Sequence, residues 1–233
     1  MRRMKTIVAS VTVLLMAASA FGQLKKSDIE KLNEAAAVLT ELRNTSENGI
    51  PDSIWNKAHC VVVIPGLKKG GFIVGGEHGS GVMSCRHGST WGLPVFMEMT
   101  KGSVGLQAGI SSTDLVLVVM NESGADKLLR NKVTLGTDAS IAAGPVGRTA
   151  SAATDAQLSA EMLSYSRSKG LFAGIDLSGG SLNPDMSRNE RAYGTNASAR
   201  DIALGTTRVK EPPEMQAFTN ALGRDVRATS GKK

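Results

Sequence analysis

The residues of this sequence best placed to do chemistry are cations beside glycine turns. Lys68 and Lys69 stand in "PGLKKGG", read as a glycine-flanked loop between two strand-like runs. Arg148 follows "GPVG", and Arg167 and Lys169 flank the turn in "SYSRSKGLFAGIDLSGG", Ser164 to Gly180. Backbone N–H groups at such turns form concavities for anions, and a neighbouring Lys or Arg adds charge and further donors. The chemistry this pattern suggests is the holding of phosphate, without any bond being made or broken.

Other chemistries find weaker footing. His59, Cys60, His78, Cys85 and His87 lie within about thirty residues, and alternation puts Cys85 and His87 on one face of a strand. The paired C-x-x-C spacing of structural zinc is absent, so no metal site is assigned. Asp114, Asp138, Asp155, Asp176 and Asp185 fall near strand or helix ends, where turn and capping roles are the default. No G-x-x-x-x-G-K-[ST] or G-x-S-x-G occurs. The glycines of "GGEHGSG" lack the strand–GxGxxG–helix setting and are read as turn and bulge positions. No enzyme signature and no cofactor site emerge.

The elements that would carry the cations follow from periodicity. Ile29, Leu32, Ala36, Leu39 and Leu42 make one apolar stripe, which predicts a helix over 27–43 with a Ser27–Glu30 capping box, packed on the domain. "NGIPDSIWNKA" predicts a short helix ending near Ala58. From Cys60 onward the period is two, in six short runs that end with "DLVLVVMN". The continuous runs Val61–Ile64 and Leu115–Val119 predict strands covered on both faces. "ESGADKLLR" reads as a helix and "ASIAAG" as a strand. In the hairpin of the quoted stretch, Leu171, Ala173, Ile175 and Leu177 form the row expected to face the core. Asn183 and Pro184 are read as the cap and first turn of another helix, and Glu214 to Leu222 as a C-terminal one. Many strands with few intervening helices point to an α+β fold, a curved antiparallel β-sheet or small β-barrel clasped by several helices.

Residues 1–22 are expected to be a signal peptide. "MRRMK" is followed by an uncharged apolar run, Thr6 to Ala20, and by small residues suited to cleavage near Phe21 or Gln23. That run is shorter than the ~20 residues of a bilayer span. Three cations and no acid go with residues 1–22, so the net charge of +6 becomes +3, too little for a nucleic-acid binder. About 210 residues remain, enough for one domain over 23–207 with its β-rich core at about 60–180, then a C-terminal helix and polar tail over 208–233. In an oxidising compartment Cys60 and Cys85 are either a cross-strand disulfide or two separate buried thiols.

Read in order, "IPDSIWNKAHCVVVIP", "KKGGFIVGGEHGSGVMSCR", "WGLPVFMEM", "GSVGLQAGISSTDLVLVVM", "LGTDASIAAGPVGR" and "YSRSKGLFAGIDLSGG" resemble the SYLF domain over roughly Ile50 to Gly205. The resemblance implies a lipid-binding module and no catalyst. Eukaryotic members bind phosphoinositides and, in some cases, actin filaments. The family pattern matches here at Lys69, Arg86, Arg148, Arg167 and Lys169. Three departures are expected: the export signal, the lack of an attached peptide-binding domain, and the cysteine pair.

Residues and resemblance together predict an exported, periplasmic or secreted protein, peripherally membrane-associated, that binds anionic lipid headgroups through Lys68, Lys69, Arg86, Arg148, Arg167 and Lys169. Each exposed cation should contribute ~1 kcal/mol near an anionic surface, so several must act together. The rival expectation is a structural or protein-interaction module of the envelope, with an actin-binding-like surface and another protein as partner.

Overall fold

The computed structural model describes residues 24–44, 49–71, 74–104, 109–130, 132–147, 157, 159–168, 171–194, 197–206 and 209–223. The expected signal peptide, Arg148, Lys169 and the polar end of the tail lie outside the described residues.

Helix α1 (Lys26–Asn44) turns its apolar stripe inward, burying Leu32, Ala35, Ala36, Val38, Leu39 and Leu42. Its first turn is closed by Asp28, whose carboxylate accepts the Lys25 N–H at 3.1 Å, while Glu30 pairs with Lys26 at 3.8 Å. A short helix, α2 (Asp52–Lys57), then leads into the strands β1 (Cys60–Gly71), β2 (Val74–His87), β3 (Thr90–Trp91), β4 (Val95–Val104) and β5 (Gly109–Val119). Helix α3 (Glu122–Arg130) separates these from β6 (Val133–Thr134), β7 (Ile141–Ala143), β8 (Met162–Ser168), β9 (Leu171–Gly174) and β10 (Ser181–Pro184). Three further helices follow, α4 (Met186–Tyr193), α5 (Ala199–Ala203) and α6 (Gln216–Gly223).

The strands form one strongly curled sheet, a half-barrel, in the order β6-β10-β4-β2-β1-β5-β8-β7, with β3 on β2 and β9 on β8. Every pairing between these strands is antiparallel except β7 with β8. The α+β expectation is therefore met, with the sheet left open as a half-barrel. Both faces of its centre are covered. Val61, Val63, Val116 and Val118 pack with Trp55, Leu39 and Phe218 beneath α1, α2 and α6. Val62, Ile64, Leu115 and Leu117 pack with Leu128, Leu129 and Ile202 beneath α3 and α5. Residues Val61–Ile64 and Leu115–Val119 are at most 1% exposed, as continuous apolar runs require. Cys60 and Cys85 face each other in register across β1 and β2 and are bonded.

Four local readings need correction. "PGLKKGG" is strand, not loop: β1 runs on to Gly71 through a bulge at Pro65–Gly66, where its register against both neighbours shifts. The glycines of "GGEHGSG" lie inside β2 and make no turn, Gly75 and Gly76 paired with Gly71 and Gly70, and Gly79 and Gly81 set against that bulge. A Cβ on Gly81 would lie 1.9 Å from the Val63 carbonyl oxygen, and one on Gly79 2.7 Å from the Ile64 side chain, so only glycine lets the bulged strand press in. Within β9 the first half of the expected apolar row is reversed, while Ile175 and Leu177 beyond the strand do pack into the core. Phe172 is buried and Leu171 is 61% exposed, because Phe172 pairs with Arg167 and so shares the face of Tyr165. Finally, Asn183 and Pro184 belong to β10, held by pairing with Glu98 and Met97, and Asp185 caps α4 by accepting the Arg188 N–H at 3.0 Å.

Candidate functional site

Past the covered centre, the α1 face of the sheet continues into a polar cleft of about 490 Å³ between α1, the β1 bulge and β5. Alternation builds its floor. Asp114 lies two residues before buried Val116, and Arg167 two after buried Tyr165, so both point to the α1 side and meet in register. Lys68 and Ser112 are the next pair along β1 and β5. The polar side of α1 supplies Lys31 and Glu34 as the facing wall.

The charges of this cleft largely answer one another. The Arg167 guanidinium donates to Asp114 at 2.8 Å and to Glu41 of α1. Burial works to lower the Arg167 pKa, but the hydrogen bonds and charges of Glu41 and Asp114 outweigh it and hold it above the ordinary value. Asp114 also accepts the Gly66 N–H at 2.9 Å, which ties the bulge to the same pair. Lys31 pairs with Glu34 at 2.6 Å and donates to the Pro65 carbonyl at 3.3 Å. Lys31, Lys68 and Arg167 thus stand against Glu34, Glu41 and Asp114. Lys68 is exposed and has no carboxylate within 4 Å among the described residues.

The structure brings Lys68 and Arg167 together and sets Lys69 and Arg86 apart from them. Lys69 points to the opposite face and pairs with Glu77 at 3.5 Å. Arg86 lies at the far end of β2, roughly 25 Å along the strand from His78, the partner of Lys68. There it stacks over Trp91, 4.5 Å from the ring centre, and donates to the Trp55 carbonyl at 3.3 Å. Burial lowers its pKa. Arg86 is a packing strut between α2 and β3. Arg148 and Lys169 lie outside the described residues, so the six cations form no single described patch. The disulfide takes two of the donors weighed for a metal, and His87 Nε2 lies 2.5 Å from the Ala203 carbonyl oxygen. Sequence reasoning missed Lys31, Glu34 and Glu41 as cleft residues. Their signal was the charged side of α1, legible only once the helix is laid against β1 and β5.

Comparison with known proteins gives this geometry its relatives. Residues 100–225 match the family described as Ysc84, Las17-binding protein actin regulator. The chain is 33% identical over 177 residues to the LAS seventeen-binding protein 3 of Saccharomyces cerevisiae, which covers 74% of this chain and 38% of the relative. It is 34% identical over 168 residues to the protein YSC84 of the same yeast, covering 70% and 35%. With the human SH3 domain-containing YSC84-like protein 1 it shares 31% identity over 189 residues, covering 78% and 54%. The chain spans about a third to a half of the length of these relatives. The first of these relatives is named as a binding protein, and the family description names a binding protein and actin regulator. The chain belongs to the Ysc84 family, the SYLF domain family.

Proposed function

We propose that this chain is a non-catalytic binding module that takes phosphate-bearing headgroups of anionic lipids at a membrane surface, after export. The observation that carries the reading is Lys68, exposed, without a carboxylate partner among the described residues, and in register with Ser112 at the mouth of the α1 cleft. A primary ammonium and a hydroxyl on adjacent strands supply point charge and hydrogen bond to one phosphate oxygen set. Because Arg167 is already held by two carboxylates, it fixes the cleft and adds little net charge. Lys68 therefore depends on further cations, for which Arg148 and Lys169 are the expected sources. Binding is weak per residue and falls with salt.

Co-sedimentation of the chain begun at Gln23 with phosphatidylglycerol and phosphatidylcholine vesicles tests this. Anionic vesicles should retain the protein at low salt and release it as salt rises, and Lys68→Glu should weaken retention. Equal binding to both vesicle types, or none to either, rules the reading out. A second reading, a protein-interaction module, draws on the Las17-binding wording of the family description and of one yeast relative's name. It is favoured if vesicle binding fails while a protein partner is retained.

A further inference from the structure

A second groove, of about 500 Å³, opens on the other side of the molecule's sheet edge, between the end of α3 and the start of α4. Its floor is apolar, with buried Leu129 and Pro184, and its rim carries Arg130, Lys132 and Met186. Met186 is 62% exposed, a large apolar side chain left in water beside two cations. The charge here is unbalanced. Asp126 serves two arginines at once, Arg130 at 3.3 Å and Arg200 at 2.7 Å, and Lys132 has no carboxylate within 4 Å among the described residues. Asp185 caps α4 and pairs with Arg188 at 3.2 Å, and Asp201 of α5 accepts from the hydroxyls of Ser198 and Thr206 while keeping its charge, so Arg130, Lys132 and Arg200 still outnumber Asp126 and Asp201 by one.

We infer that this groove docks an acidic segment of a partner protein that carries an apolar anchor residue. The positive excess selects acids, and exposed Met186 over the Leu129–Pro184 floor provides an adaptable contact for the anchor. Recognition runs through side chains and not through strand addition. Pro184 has no N–H to offer at the open edge of β10, and the Thr134 N–H of the edge strand β6 is already taken by Asp138 at 2.7 Å. The inference does not rest on headgroup binding in the α1 cleft.

Fluorescence polarisation of the full chain with a short labelled peptide, rich in Asp and Glu around a Leu-Phe pair, tests it. The acidic peptide should bind, and the same peptide with Lys in place of its acids should not. Lys132→Glu and Met186→Asp, both at exposed side chains, should each weaken binding about tenfold, whereas Lys68→Glu should leave it unchanged. Thermal unfolding of each variant checks that the fold is intact. The inference is overturned if the acidic peptide does not bind, if Lys132→Glu and Met186→Asp bind it as the parent does, or if Lys68→Glu weakens it equally. It is also overturned if Lys132→Glu abolishes retention on anionic vesicles while the peptide stays unbound, which would assign the groove to the membrane.

Discussion

The α1 cleft and the α3–α4 groove are of nearly equal size, and each has three cations in or beside it, yet they hold charge differently. In the cleft, Arg167 of β8 lies between Glu41 of α1 and Asp114 of β5, and Lys31 reaches from α1 to the Pro65 carbonyl, so these two cations tie α1 to the sheet and its bulge. In the groove, one carboxylate, Asp126, is divided between two arginines, and Lys132 has none among the described residues. The lesson is that a conspicuous cation in a sequence is not the same as available charge. Partly buried arginine is retained where carboxylates complete its hydrogen bonds, and what is then left to meet a ligand is the remainder.

The largest expected effect comes from breaking the cleft's internal pairing. Arg167→Met takes away the guanidinium that both Glu41 and Asp114 accept from, and should cost about 2–4 kcal/mol of stability, read by urea unfolding. Adding Glu41→Gln and Asp114→Asn to that variant should recover part of the loss. If Arg167→Met unfolds like the parent, the cleft is not fastened by this triad, and its contrast with the groove disappears.

Much of the fold was legible and the charge map was not, for one physical reason. Burial of Val61–Ile64 and Leu115–Val119 depends on local alternation and turn chemistry, which the sequence displays directly. The partner of Arg167 depends on Glu41, 126 residues away, and on the β5–β8 register that delivers Asp114. The same non-local cause lies behind the inverted β9 reading. The pairing of Phe172 with Arg167 turns Leu171 and Ala173 outward within β9, whereas Ile175 and Leu177, past the strand, pack into the core as their row predicts. Two-residue β6 gave no periodic signal at all, and with it the groove beside Lys132 stayed hidden.

On the groove side, Glu161 anchors α3 to the start of β7 and β8. It pairs with Lys127 at 2.9 Å and accepts from the Ser123 hydroxyl and the Ser140 N–H. Burial pushes its carboxyl up, but those hydrogen bonds outweigh it and hold it below the ordinary value. A carboxyl lowered in the folded state stabilises above its unfolded pKa, and that gain is lost as pH falls through the lower folded value. Glu161→Gln should therefore lose about 1–3 kcal/mol at neutral pH. The gap to the parent should close as pH falls through the lowered carboxyl's folded range. A gap that stays constant across that range would mean the loss is one of packing and not of charge.

A smaller effect sharpens the contrast from the other direction. Glu41→Gln removes one of the two carboxylates on Arg167 and should cost about 0.5–1 kcal/mol, since the Glu41 side chain is 38% exposed. The same change releases positive charge at the mouth beside Lys68. Retention on anionic vesicles should rise severalfold at low salt and return to the parent's level at high salt. Unchanged retention would show that Arg167, once freed, still points away from the membrane.

Least of all should happen to the fold when the two unpaired lysines are reversed. Lys68→Glu and Lys132→Glu each alter an exposed side chain with no carboxylate partner among the described residues, so thermal unfolding should move by no more than about 0.5 kcal/mol equivalent. Their consequences should fall on different ligands, vesicles for Lys68 and the acidic peptide for Lys132. Stability and binding separate in this way only where a cation has no work inside the fold. A large loss of stability in Lys132→Glu would therefore reveal a hidden counter-ion and make the groove a second fastening point like the cleft. A loss in Lys68→Glu would do the same to the membrane reading, since the one exposed cation that carries it would prove to be already engaged.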